Sequence, residues 1–436
     1  MLLYKTFRKK TLTISIILIT YTSVSYYLAV RLNLPLNNTI LIWLSNFFVL
    51  FSLYIHKNHN YNKDNYKSFS LLNWYILWNI LNIIRGLFIA ESYWDWKGLI
   101  TNSTALLLPI SAFVFTNKHT TQYLLSSYIK YILPSFLLIS FFIDKDAYGF
   151  YLAPLSLMIL FFPTFTKKWK IVIIIILIIV LTANLGARSN IIKFGVPAIL
   201  VLTYYLKHFI NKRIIWFTAK LFLVLPFILF TLGVNGVFNI FKIEEYVKVD
   251  IKEIKFEENG VSKIENLKAD TRTFLYKEVL VTASKYNTWL IGRSPARGND
   301  TEAFAEIAQI TGKKERLANE VAILNIFTWT GIIGVILYLF VFYHASFLAV
   351  NFSNNYYSKL LGLFISFRWT YAWVEDINNF SLSYMMLWCI IGLGYSKSFR
   401  SMTDKEVKFW VRSIFQGNQT NKVNKTSKTA YSFNLQ

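Results

Sequence analysis

Apolar runs of about 18–22 residues recur along almost the whole chain, separated by short polar connectors. Each is long enough to cross a hydrocarbon core of roughly 30 Å. The pattern predicts twelve spans, near 11–30, 39–55, 71–90, 99–116, 123–143, 148–165, 169–186, 190–206, 214–236, 319–343, 356–374 and 380–396. The runs do not alternate in polarity, which excludes a membrane β-barrel. The chain therefore reads as an all-α, polytopic bundle. It divides into spans one to nine (1–236), one large loop (237–318), spans ten to twelve (319–396) and a polar tail (397–436) read as disordered.

Composition agrees with a membrane protein. The chain has 436 residues, 55% of them hydrophobic and only 16% charged, against roughly 25% charged in soluble domains. Its net charge of +23 would suggest nucleic acid in a soluble protein. Here the cations collect on alternate connectors: Lys5, Arg8, Lys9 and Lys10; Lys57, Lys63 and Lys67; Lys118; Lys167, Lys168 and Lys170; Lys207, Lys212 and Arg213; and Lys397 onward. The intervening connectors carry Glu91, Asp95, Asp144, Asp146, Glu375 and Asp376. By the positive-inside rule this places both termini in the cytoplasm and 237–318 on the outer side, with the lipid bilayer as partner and no nucleic acid. One cysteine, Cys389, and five scattered histidines offer neither a disulfide framework nor a metal centre.

Charges at membrane depth are costly and each requires a reason. Lys130 and Lys220 lie near cytoplasmic ends and can snorkel. Arg85, Arg188, Lys193 and Arg368 come from three spans and share a depth just below the outer face. They either snorkel and pair with the nearby carboxylates or form a cationic chamber for an anionic ligand. Guanidinium groups suit diphosphate because their planar fork meets two oxygens at once.

In the loop, polarity alternates around 247–256, which reads as a solvated strand or short amphipathic helix. Asp270 is placed to cap a helix carrying Phe274, Leu275, Val279 and Ala283 on one face. Arg272 sits in its first turn, unfavourably oriented against the helix dipole unless an anion or carboxylate is near. The sequence LIGRSPARGND then predicts an irregular turn at Gly292, Pro295 and Gly298, presenting Arg293 and Arg297. Glu320, where the chain re-enters the membrane, is either an ion-pair partner or a base.

Three stretches carry a family resemblance: TANLGARSNIIKFGVPAILVL, DTRTFLYKEVLVTASKYNTWLIGRSPARG and NEVAILNIFTWTGIIGVILYL. They are similar to the O-antigen polymerase and ligase superfamily, most closely to the Wzy-type polymerases. The matching positions are Arg188 and Ser189; Arg272, Gly292 and Arg293; and Glu320, Gly331 and Gly334. Ligases of the superfamily carry a histidine before the span that follows the loop. This chain has no histidine between His208 and His344, which favours the polymerase branch.

The resemblance implies a GT-C-like, metal-independent, inverting glycosyltransferase of the bacterial inner membrane. Its substrates would be undecaprenyl-diphosphate-linked glycans, joined at the outer face into a surface polysaccharide such as O-antigen. A chain-length regulator would be a further partner, and no cofactor is implied. Arg188, Arg272 and Arg293, with Arg297, Arg85, Arg368 and Lys193 around them, would bind diphosphate. Glu320 would take the acceptor proton, with Arg272 beside it at the reacting centre. A ligase, a lipid-linked oligosaccharide flippase and a multispan scaffold or sensor are the alternatives.

Overall fold

The computed structural model describes residues 2–60, 69–184, 187–239, 241, 254–258, 261–265, 272–304, 308 and 311–416. It is a helical bundle, and helices occupy all twelve of the predicted runs. In chain order they are α1 Leu2–Leu32, α2 Thr39–Asn60, α3 Ser70–Ile89, α4 Tyr93–Leu107, α5 Ser111–Phe115, α6 Lys118–Ser127, α7 Leu133–Ile139, α8 Tyr148–Tyr151, α9 Ala153–Ile159, α10 Lys167–Ala183, α11 Arg188–Tyr205 and α12 Lys212–Val234. Then follow α13 Thr273–Lys285, α14 Ala322–Asn351, α15 Tyr356–Tyr371, α16 Leu382–Tyr395, α17 Lys397–Arg400 and α18 Asp404–Gln416.

Among the described residues, six helices are long and apolar enough to cross a membrane: Phe7–Leu32, Thr39–Lys57, Ser70–Ile89, Tyr93–Phe115, Lys212–Val234 and Ala322–Asn351. Of the other predicted spans, most are shorter or broken, and α11, at 18 residues, is less apolar. In the fifth run a π-turn at Tyr128–Ile132 precedes Pro134. In the sixth, Pro154 and Pro163 each start a new helical segment. Proline lacks the donor that an uninterrupted helix needs, so it restarts the helix at its first turn.

The connectors gather at two ends of the bundle. At one end Lys118 donates to the Ser398 carbonyl, Lys207 approaches Asp404, and Lys212 donates to the Asn351 carbonyl. At the other, the loop meets the acidic connectors, with Lys313 on Asp95 and Arg272 beside Glu375.

The tail departs from expectation. It begins with α17 and with α18, whose Val407, Trp410, Val411 and Ile414 are buried. Spacings of three and four residues put those side chains on one face. Trp410 Nε1 donates to the Lys118 carbonyl and Gln122 Nε2 to the Trp410 carbonyl, at 3.0 and 2.7 Å. The expectation of disorder from 397 is thus corrected for 397–416, and 417–436 lie outside the described residues.

In the loop, an antiparallel hairpin pairs β1 (Ile254–Glu258) with β2 (Val261–Glu265). A second, two-residue pairing joins β3 (Asn299–Asp300) to β4 (Glu315–Arg316). The proposed cap Asp270 and residues 247–253 fall outside the described residues. Arg272 occupies the position just before α13.

Helix α14 is interrupted at Gly331, with φ 68° and ψ −171°. The loop segment 288–294 plugs this break. Ile332 N donates to the Trp289 carbonyl at 2.9 Å, and Arg293 N to the Thr328 carbonyl at 2.6 Å. The backbone groups freed by the break are therefore bonded again, as an apolar surrounding requires. A Cβ at Gly331 would collide with the Leu290 carbonyl. Gly331→Ala is expected to cost about 1–3 kcal/mol from backbone conformation alone, read as earlier thermal aggregation of detergent-purified protein.

Candidate functional site

The cations singled out in the sequence separate into two groups. One group is structural. Arg85 Nη2 donates to the Ile291 and Gly292 carbonyls at 2.8 and 2.9 Å, holding the plug in place. Arg297 grips Glu315 with Nε and Nη2 at 3.1 and 2.7 Å, a bidentate pair. Arg293, buried, bonds the Gly298 carbonyl and Glu315 and lies 4.1 Å over the Tyr286 ring. Lys313 completes the strut by reaching Asp95 on α4 at 2.8 Å. Asn102, also on α4, donates to the Pro295 carbonyl. Arg293 and Arg297 thus have carboxylate partners and Arg85 has backbone carbonyls, and together they pin the Gly292–Gly298 turn against α3 and α4 instead of presenting it.

The second group lies where α11, α15 and the start of α14 meet. Arg272 Nη1 pairs with Glu320 at 2.5 Å, and its Nη2 is 4.0 Å from Glu375. Arg316 Nη2 takes the other Glu320 oxygen at 3.0 Å. Both oxygens of Glu320 are therefore engaged by guanidinium groups. Of the two roles open to Glu320, this geometry fits the ion-pair partner.

Lys193 on α11 and Arg368 on α15 are only 5% and 3% exposed. Lys193 Nζ rests 4.6 Å from the Phe150 ring centre, and Arg368 Cζ lies 5.4 Å from that of Tyr371. Among the described residues neither is in a salt bridge, and Arg368 Nη2 has no hydrogen-bond partner. Withdrawing an ion from water costs several kcal/mol unless an opposite charge compensates it. Glu375 offsets part of the charge of both, although neither forms a salt bridge with it among the described residues. Arg188 is the exposed first residue of α11. The next residue, Ser189, accepts from Tyr371 Oη at 3.3 Å.

A narrow cleft of about 20 Å³ opens here, lined by Ser189, Lys193, Tyr371, Glu375, Asp376 and Ser381 among others. Burial pushes the Glu375 carboxyl above the usual range, and Arg272 and Lys193 pull it partly back. The turn carrying Glu375 and Asp376 is pinned to α14. Ala322 N donates to the Glu375 carbonyl, Ile323 N to the Ala372 carbonyl, and Asn325 Nδ2 to Asn378 Oδ1.

Beside the cleft, sharing Tyr371 with it, lies a groove of about 570 Å³. Its walls include Ile192 of α11, Leu229 and Phe230 of α12, Tyr276 of α13 and Phe367 of α15. That volume is in the range of ligand pockets, and the lining is overwhelmingly apolar. Tyr276 Oη donates to the Trp373 carbonyl at 2.5 Å, locking α13 over the groove as a roof. No group of three or more potential metal ligands exists among the described residues.

No protein-family model, curated protein or solved structure matches this chain.

Sequence reading found Arg272, Glu320, Lys193 and Arg368, which the fold assembles around one turn. It passed over Arg316, because its role depends on the β3–β4 pairing that places it opposite Asn299. It gave Glu375 and Asp376 only as counter-charges. Their position beside a charged residue of a distant span was the signal available.

Proposed function

We propose that the protein joins undecaprenyl-diphosphate-linked oligosaccharide units into a polymer by inverting glycosyl transfer, independently of metal. The observation that carries this reading is a pair of buried cations outside any salt bridge among the described residues, Lys193 and Arg368, with Lys193 lining a polar cleft that shares Tyr371 with a large apolar groove. Such a pairing suits an amphiphile with an anionic head and a hydrocarbon tail. The Wzy-like stretches add the reaction class. In this reading all twelve helical runs cross the bacterial inner membrane in a GT-C-like arrangement. Both termini are cytoplasmic and the site faces outward.

A hydroxyl of the acceptor glycan attacks the anomeric carbon of the donor glycan. The bond from that carbon to the diphosphate oxygen breaks, and its electron pair leaves on the lipid diphosphate. Lys193 and Arg368, with Arg272 at the rim, stabilise the charge that develops there. Glu320 and Arg316 hold the Arg272 guanidinium in place. The cations also lower the barrier without any proton transfer to the leaving group, because a diphosphate neutralised by cations departs readily.

Loss of the gene separates this reading from its rivals. Cells lacking a polymerase are expected to carry a single repeat unit on the final acceptor. Long chains stranded on the lipid carrier would instead indicate a ligase, and units retained on the cytoplasmic face a flippase. Normal polymer in the null strain would overturn the proposal.

A further inference from the structure

We infer that Asp376 takes the proton from the attacking hydroxyl in the glycosyl transfer proposed above, on which this inference rests. The site holds three carboxylates, and their bonding differs. Glu320 spends both oxygens on Arg272 and Arg316. Glu375 has Arg272 Nη2 at 4.0 Å and lies against Lys193 and Arg368 in charge if not in contact. Asp376 bonds only neutral donors among the described residues, the Asn378 backbone N–H at 3.2 Å and Asn379 Nδ2 at 3.3 Å. These are long bonds, and each oxygen keeps lone-pair capacity for another donor.

Its position is equally specific. Asp376 lines the same cleft as Lys193, with Ser189, Ser381 and Ser383 around it. The cleft's size admits about one water-sized polar group, which suits a single hydroxyl delivered to a carboxylate. The turn that carries Asp376 is bonded on both sides to α14 through Ala322, Ile323 and Asn325. A base held on a pinned turn, across one cleft from Lys193, is arranged for proton removal opposite a departing anion.

The charged and titratable groups that face this turn are Lys193 from α11, Arg272 at the start of α13, Arg368 and Tyr371 from α15, Tyr338 from α14, Glu320 just before α14, and Glu375 alongside. Loss of water pushes the Asp376 carboxyl up to about 7, with Glu375 and Glu320 adding to the rise and the asparagine donors opposing it. A general base works best with a pKa near the working pH. The proton balance closes. The acceptor O–H bond breaks and its proton passes to Asp376. The freed electron pair forms the bond to the anomeric carbon, and the diphosphate leaves as an anion. Asp376 then releases the proton to water.

The test uses the full chain in lipid vesicles with a polyprenyl-diphosphate-linked repeat unit, scoring elongation rate against pH. Wild type is expected to lose activity as pH falls through about 7, because protonated Asp376 cannot accept. Asp376→Asn is expected to slow elongation about 10²–10⁴-fold without that pH limb, and with KM little changed. Asp376→Glu is expected to retain part of the rate with a displaced limb, which guards against a variant that merely unfolds. Glu320→Gln slows turnover through Arg272 but keeps the limb. An Asp376→Asn enzyme within about threefold of wild type, or an Asp376→Glu limb at the wild-type midpoint, overturns the inference alone. Wild type that makes no polymer overturns both the inference and the proposed function.

Discussion

Replacing Lys193 or Arg368 with alanine is expected to slow elongation at least about a hundredfold while the protein still inserts and accumulates. Preorganised groups that meet developing charge in a water-poor site are worth about 10²–10³ in rate each. The two residues are also unusual in what their loss does to the empty protein. Neither is in a salt bridge among the described residues, and Glu375, whose charge both offset, keeps Arg272 beside it when either is truncated. Removing a buried charge that has no bonded counter-charge relieves desolvation, so thermal stability is expected to hold or rise. The opposite is expected at Arg297, whose loss would leave Glu315 buried without its bidentate partner. Lower activity with equal or higher stability is therefore the signature of an anion site at Lys193 and Arg368. Arg368→Lys is expected to rescue poorly, since an ammonium cannot offer two parallel donors to one phosphate. Elongation assays paired with melting curves of the same preparations check the set.

Filling the groove is the second change with a large expected effect. Gly233 lines it on α12, and a Cβ there would meet only the Phe238 carbonyl, at an ordinary 3.8 Å. Gly233→Trp is thus sterically admissible at the backbone, and its indole would occupy space assigned here to a polyprenyl tail. Displacing about four methylene-sized groups from apolar contact costs about 3 kcal/mol, or roughly a hundredfold in apparent affinity. The effect is expected with a long-tailed donor and to shrink with a donor whose tail has been cut to one or two isoprene units. Equal inhibition for both donors would show that the groove does not hold the tail. The comparison isolates the tail because the anionic head and its cations are the same in each case.

Much of this architecture was legible in the chain. The helical runs follow from apolar length, and the segregation of Lys and Arg from Glu and Asp foreshadows the two ends of the bundle. Lys193 and Arg368 were found because a charge in an apolar run has few explanations, and Arg272 because it opens a loop helix whose dipole disfavours a cation there. Other features depend on contacts that sequence does not encode locally. Arg85, Arg293 and Arg297 look the same in sequence as the cations of the proposed anion site. They differ only because Ile291, Gly292 and Glu315 reach them from far along the chain. Helix α18 escaped notice because its polar residues lower the mean hydropathy, although Val407, Trp410, Val411 and Ile414 keep a helical period. The break at Gly331 was masked by continuous hydropathy on both sides, and only the plug of residues 288–294 explains it.

Purified protein reconstituted in vesicles with one defined undecaprenyl-diphosphate-linked repeat unit tests the central claim most directly, with glycan length and free lipid diphosphate measured together. A polymerase of this kind gives a ladder of products, one lipid diphosphate released for each unit joined, and the same ladder in the presence of a chelator. Movement of the intact glycolipid across the bilayer with no new glycosidic bond, or a ladder that disappears with chelator, would contradict that claim.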